Sequence, residues 1–159
     1  MLEARNVLER AEDAVNALKA GDAQNWESLW VNAVVSLRSV GHVLDKTDSK
    51  TSEAAGKIIV EHWKSWKADC NDCEEPDCED CGTWVFSEFI EPTRNSLLKT
   101  NQGMPTCSVK TYGEYDEHIE VTLTMENGED GIYMLEYAVE WLEEELDEIE
   151  DAIAAEIKS

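Results

Sequence analysis

Apolar residues recur at intervals of three and four along most of this chain, and that spacing limits its fold more than any other feature. The period matches one face of an α-helix and differs from the alternation of a half-buried β-strand. The spacing runs through residues 2–20, 22–44 and 52–69. It is longest in the last segment, at Ile132, Leu135, Val139, Leu142, Leu146, Ile149 and Ile153. We therefore predict a mainly α-helical bundle, covered by a long C-terminal helix at residues 131–157.

A fourth helical region begins near Thr83 and continues through Leu98. Pro92 lies inside this region, and proline lacks the backbone N–H that a helix interior needs. We expect either a kink at Pro92 or a second short helix that starts there.

The apolar period changes after Thr100. Residues 106–112 and 118–125 are rich in Val, Thr and Tyr and alternate between apolar and polar positions, which is typical of strands. They predict a small antiparallel β-hairpin within residues 104–126, before the C-terminal helix. Asn127-Gly128 predicts a further turn, followed by a short third strand.

The length of 159 residues fits one domain, residues 1–159, and the 42% hydrophobic content with six Trp supports a real core. No stretch approaches the roughly 20 apolar residues that a membrane span needs, so we expect no membrane contact. The first five residues lack the basic and then apolar order of a secretion signal. We therefore expect a cytoplasmic protein.

Thirteen basic and 36 acidic residues give a formal net charge of −23. Such a surface repels phosphate backbones, so nucleic-acid binding over the general surface is disfavoured and a basic protein partner is favoured. The acidity has three readings, which are a well-solvated surface, adaptation to high salt, and an acidic nucleic-acid mimic that inhibits a basic partner.

A cysteine loop at residues 70–82 contains two C-x-x-C pairs, formed by Cys70, Cys73, Cys78 and Cys81. Four thiolates in this pattern are typical of a tetrahedral structural zinc site with no open position for catalysis. We predict a structural Zn²⁺ that staples this loop between two helices. Disulfides or free thiols, and an iron–sulfur cluster, are the alternatives. Cys107 stands alone in a strand-like segment and is expected to be a small core residue.

No serine nucleophile elbow, phosphate-binding glycine loop or His-Glu-x-x-His motif occurs in the chain. The constellation that we single out is Arg94-Asn95-Ser96-Leu97-Leu98-Lys99, at the end of the fourth helical region. Arg94 and the leucines are about one helical turn apart. Arg94 could therefore enter a polar pocket while the leucines anchor the turn, or it could be an ordinary salt-bridged helix arginine.

The segment at residues 31–40, Val-Asn-Ala-Val-Val-Ser-Leu-Arg-Ser-Val, together with Arg94-Asn95 on a later helix, resembles the HEPN-like helical bundles. The nearest resemblance is to uncharacterised members in which Arg-Asn is followed by a Leu-Lys pair and then by strands. It covers residues 1–100, with the cysteine loop as an insertion between helices. The resemblance implies a HEPN-like bundle and a homodimer, since active HEPN ribonucleases join two Arg-polar-spacer-His motifs in a dimer groove without a metal.

Arg94 and Asn95 match the start of that motif, but Lys99 stands where the family's His is expected. Lysine, with a reference pKa of about 10.4, is a poor general base at neutral pH. We therefore favour a non-catalytic HEPN-like interaction protein. The alternative is a divergent HEPN-type ribonuclease, or another nucleotide-acting enzyme, that uses Arg94, Asn95 and Lys99.

Overall fold

The computed structural model describes residues 1–67, 82–100, 102–115 and 117–158, and these ranges form a helical bundle with one β-hairpin. The helices are α1 (Glu3–Lys19), α2 (Trp26–Lys46), α3 (Glu53–Lys67), α4 (Glu91–Thr100) and α5 (Gly131–Lys158). The strands are β1 (Thr106–Tyr112) and β2 (His118–Thr124). The predicted mainly helical fold, with a hairpin before a long C-terminal helix, is confirmed.

Helix α1 is capped by a residue that lies far from it in sequence. Leu2 occupies its N-cap position and offers no side-chain hydrogen bond. Instead, Asp48 accepts hydrogen bonds from the backbone N–H groups of Glu3 at 2.9 Å and Ala4 at 3.0 Å. Asp48 lies in a 3₁₀ turn, Asp48–Lys50, and is only 1% exposed. The carboxylate therefore satisfies two helix-terminal donors and faces the positive end of the helix dipole.

Buried side chains from all five helices and from β2 form one hydrophobic core. Its centre is aromatic, because Trp66 of α3 lies 5.2 Å from Trp141 of α5 and 6.0 Å from Phe86, measured between ring centroids. Aromatic pairs at such distances contribute about 0.5–1.5 kcal/mol beyond the burial of their surface. Trp66 thus joins α3 to α5.

Helices α2 and α3 approach closely at Gly41. A Cβ atom at this position would lie 2.0 Å from Cζ3 of Trp63, a distance that no packed structure tolerates. The absence of a side chain at Gly41 therefore makes room for the Trp63 indole against α2.

The segment before α4 is a π-helix at Val85–Ile90 that runs directly into α4. Pro92 is the second residue of α4, so its missing backbone N–H falls where the π-helix changes into the α-helix and not in the middle of α4. The expected second short helix therefore exists, and it begins one residue before Pro92.

Strands β1 and β2 pair in an antiparallel register in which Val109 lies opposite Val121 and Tyr112 opposite His118. Val121 and Leu123 of β2 are buried, whereas most of β1 is exposed. Gly21, at φ +86, ends α1, and a Cβ atom there would lie 2.4 Å from the carbonyl oxygen of Ile119. The hairpin therefore packs on the bundle through β2 and leaves β1 at the outer edge.

The predicted third strand is wrong within the described ranges. After the turn at Asn127-Gly128, a single bridge joins Thr124 to Asp130, and α5 begins at Gly131. Asp130 accepts hydrogen bonds from the backbone N–H groups of Ile132 and Tyr133, which is the geometry of a helix N-cap. Capping by Asp130 starts the helix where a strand would otherwise continue.

Candidate functional site

Two segments of the chain contain no Asp or Glu, although the whole protein is strongly acidic. These are residues 28–44, within α2, and residues 92–113, which run through α4 and β1. The segments are neighbours in the structure. Arg38 of α2 pairs with Glu91 at the start of α4 at 3.3 Å, and Trp30 Nε1 donates to the carbonyl oxygen of Gly103 at 3.1 Å. The two contacts make α2 and α4 antiparallel neighbours, and we call the two segments the acid-free region.

An open groove of about 810 Å³ lies along the N-terminal half of α2. Apart from Glu27, its lining is apolar or neutral, consisting of Trp26, Ser28, Val31, Asn32, Val35 and Met104. Leu98 of the adjacent α4 is 59% exposed. The acid-free region therefore offers an apolar surface to solvent.

Arg94 and Asn95 are brought together, because Arg94 Nη1 donates to Asn95 Oδ1 at 3.0 Å and both side chains are half-buried. Lys99 is exposed, and the described residues show no hydrogen bond or ion pair between it and this pair. Within the same ranges, Arg94 has no carboxylate partner, so the salt-bridged reading of this residue finds no support. No histidine is hydrogen-bonded to Arg94 or Asn95 in the described part of the chain.

The aromatic environment of Arg38 is a feature that sequence reasoning missed. The guanidinium carbon of Arg38 lies 5.3 Å from the ring centroid of Trp63 and 5.4 Å from that of Phe86. Lys67 lies over Trp63 as well, at 4.4 Å. Cation–π contacts of this kind contribute about 0.5–2 kcal/mol. Arg38 therefore serves the packing of α2 on α3, and only the abundance of Trp in the sequence could have suggested such a contact.

The surface between α1 and α5 is rich in carboxylates, in contrast to the acid-free region. Two adjoining clefts there, of about 270 and 150 Å³, share Glu12 and Glu143 in their linings. The carboxylates that line them are Glu9, Glu12, Glu136, Glu140 and Glu143, and we call this feature the acidic groove.

The acidic groove concentrates like charges. Partial burial, followed by the charge of Glu12, raises the pKa of Glu143 above its usual value, and Arg5 opposes the shift. Two basic residues neutralise part of the rim, since Arg5 pairs with Asp147 and Glu150, and Lys19 pairs with Glu136. The groove keeps an excess of negative charge that a cationic group would relieve.

The four cysteines of the predicted zinc loop, Cys70, Cys73, Cys78 and Cys81, lie outside the described residues. Cys107 is half-buried, packs against the core and lies opposite Leu123. Burial and then the charge of Glu27 raise the pKa of its thiol. Cys107 therefore stays protonated at neutral pH, which fits a packing residue and not a nucleophile.

No helix in the described ranges is both long enough and apolar enough to cross a membrane. Comparisons with protein families, with curated proteins and with solved structures find no match to this chain.

Proposed function

We propose that this is a non-catalytic, HEPN-like interaction protein whose acidic groove binds a basic protein partner. The observation that carries the proposal is the separation of charge, with crowded carboxylates between α1 and α5 and none in residues 28–44 and 92–113. A cationic partner at the groove would favour the charged form of Glu143, whose pKa is raised by partial burial and then by the charge of Glu12. Complementary charge of this kind speeds association and sets the orientation of a partner.

An octa-arginine peptide is a suitable probe, because it carries the proposed chemistry without a fold of its own. Backbone amide shifts measured by NMR should change along the acidic groove when the peptide is added. The double substitution of Glu12→Gln and Glu143→Gln should weaken binding several-fold, and salt should weaken it further because exposed charges are screened.

The matched control is the substitution of Glu53→Gln and Glu61→Gln on α3, which removes the same charge from exposed positions away from the groove. If both double variants lose affinity equally, the peptide senses only net charge and the groove is not its site.

An acidic nucleic-acid mimic is the special case in which the basic partner itself binds DNA or RNA. In that case the protein should displace nucleic acid from such a partner. Competition measured by fluorescence anisotropy, with the Glu12→Gln, Glu143→Gln variant as the inactive comparison, would identify this case.

We propose further that a second copy binds through the acid-free region. Two chains of charge −23 repel one another least where both surfaces lack carboxylates. The exposed Leu98 and the groove beside Trp26 supply the apolar area that a homodimer would bury. Light scattering on the purified protein tests this proposal by its mass.

A divergent HEPN-type ribonuclease using Arg94, Asn95 and Lys99 is the second candidate function. The absence of a carboxylate partner for Arg94 in the described residues favours it, because a guanidinium that is not in an ion pair can contact phosphate. RNA cleavage that Arg94→Ala abolishes would support the enzyme and overturn the non-catalytic proposal. Cleavage that survives this substitution would indicate a contaminant.

The zinc loop stays a prediction. If Cys70, Cys73, Cys78 and Cys81 bind zinc, metal analysis of the purified protein should show one equivalent per chain that is lost when all four are replaced by serine. If they form disulfides, that substitution should leave the zinc content unchanged.

A further inference from the structure

Three side chains that can bind a metal ion lie close together between α3 and α5, outside the acid-free region. His62 of α3, Glu145 and Glu148 of α5 each place one ligand atom within 4.8 Å of the other two. Nδ1 of His62 lies 3.2 Å from Oε2 of Glu145. The two glutamates are three positions apart, so they lie on the same face of α5.

The carboxylate of Glu145 is largely buried and lacks a permanent cationic partner among the described residues. Its side chain is 16% exposed, and that of His62 is 26% exposed. Glu145 Oε2 accepts a hydrogen bond of 2.6 Å from Trp66 Nε1, which is a neutral donor. Removing a carboxylate from water without a paired charge is costly. Among the described residues, the imidazole of His62 is the basic group that contacts this carboxylate.

We propose that His62, Glu145 and Glu148 bind a divalent first-row transition ion such as Zn²⁺. One imidazole and two carboxylates suit Zn²⁺ and its neighbours better than Mg²⁺ or Ca²⁺, which prefer oxygen ligands alone. The two carboxylates balance the charge of the ion when His62 is neutral. The proposal is independent of the zinc predicted for the cysteine loop.

The geometry requires only side-chain rotation. In a tetrahedral site with bonds of about 2.0–2.1 Å, neighbouring ligand atoms lie about 3.3 Å apart. The distance between His62 and Glu145 already matches this value. Glu148 is exposed and can therefore swing toward the ion.

The other contacts of the site are consistent with metal binding. The Trp66 indole N–H holds the carboxylate of Glu145 in place, as outer-sphere hydrogen bonds do in metal sites. Three protein ligands leave a coordination position for water, unlike the four cysteines of the loop.

The first experiment is a Zn²⁺ titration by calorimetry of the full chain in which Cys70, Cys73, Cys78 and Cys81 are replaced by serine. This background should bind one Zn²⁺. Glu148→Gln should weaken binding by at least about tenfold, because a ligand should matter no less than the outer-sphere partners whose loss costs 10–100-fold. Glu144→Gln, an exposed glutamate on the same helix, should change affinity less than twofold.

The second experiment uses the native chain, so the result does not depend on folding of the serine variant. The protein has three histidines, and His42 and His118 are exposed. If the cysteine loop takes up the first equivalent of Zn²⁺, the second equivalent should shift the ring ¹⁵N resonances of His62 and leave those of the other two histidines unchanged. If the loop binds no Zn²⁺, the first equivalent should have this effect. Equal shifts for all three, or equal losses for Glu148→Gln and Glu144→Gln, would mean adventitious binding to surface groups and would overturn the proposal.

Discussion

The acid-free region and the acidic groove are held together in different ways. Around α2, the contacts include close packing at Gly41, the Trp63 and Phe86 rings over Arg38, and the ion pair between Arg38 and Glu91. Between α1 and α5, two ion pairs meet at Arg5, a third joins Lys19 to Glu136, and apolar residues pack beneath them. The first region is specified by shape, and the second depends on charge as well.

The comparison shows that acidity in this protein is partly structural. Glu150 binds Arg5 and the backbone N–H of Leu2, and Asp48 caps α1. A carboxylate with such partners cannot be exchanged for another solvated residue without loss of stability. The carboxylates of the acidic groove lack that role for the most part, which leaves them available to a partner.

The largest effect should come from the aromatic centre. Trp66→Ala should lower the free energy of unfolding by about 3–5 kcal/mol, because it opens a cavity beside Trp141 and Phe86. The same substitution at Trp26, which is only half-buried on the open groove, should cost much less. Urea unfolding measures both. Equal losses would contradict the assignment of Trp26 to a surface and Trp66 to the core.

Removal of the remote cap should have the next largest effect on stability. Asp48→Ala leaves the N–H groups of Glu3 and Ala4 without their acceptor, and we expect a loss of about 2 kcal/mol, at the upper end for helix caps. Asp151→Ala, an exposed position on α5, should change stability by less than about 0.5 kcal/mol. Thermal unfolding distinguishes them, and a neutral Asp48→Ala would show that α1 does not need this carboxylate.

The proposed dimer gives a test of the acid-free region. Leu98→Lys should weaken self-association by at least about tenfold, which corresponds to about 1.4 kcal/mol. Val60→Lys places the same charge at another exposed apolar residue, on α3, and should leave the mass of the particle unchanged. Light scattering across a dilution series measures both. A dimer that survives Leu98→Lys would have to use another surface.

The smallest effect should come from the rim of the acidic groove. Arg5→Ala removes ion pairs to partly exposed carboxylates and should cost about 0.5–1 kcal/mol, with the cost shrinking in high salt. Arg10→Ala is the charge-matched control, because Arg10 is exposed on the same helix. Equal losses for the two variants would assign the effect to net charge alone.

The loss of stability caused by Arg5→Ala should depend on pH, because Arg5 pairs with Glu150. Partial burial acts to raise its pKa, but the hydrogen bonds from Arg5 and Leu2 prevail and hold the pKa below the usual 4.5. A lowered pKa in the folded state contributes stability above pH 4.5, and that contribution is lost as the pH falls through the folded value. The difference between the wild type and Arg5→Ala, measured in buffer with a chelator, should therefore shrink on acidification.

Much of the fold could be predicted, because each helix carries its own apolar stripe and the hairpin its own alternation. The predicted limits of α1 and the hairpin, and the predicted start of α3, agree with the structure to within one or two residues. The third strand was mispredicted because Asp130 can either continue a strand or cap a helix, and local sequence does not decide between them.

The candidate sites were less predictable than the fold, since most of their contacts join residues that are far apart in the chain. Arg94 and Asn95 are sequence neighbours, and their contact required no knowledge of the fold. His62 and Glu145 are separated by 83 positions, and nothing in the sequence distinguishes Glu145 from the other carboxylates of α5. The charge separation could have been seen by noting where Asp and Glu are missing, instead of counting how many there are.

The cap on α1 has a consequence for the order in which the molecule can form. The acceptor for the first helix lies about 45 residues downstream, and Glu150, which also holds Leu2, lies 148 residues away. During synthesis α1 therefore lacks these acceptors until the turn after α2, and later the last helix, have emerged. Pulse labelling of its amides on stalled ribosomes should show protection arriving in those two steps.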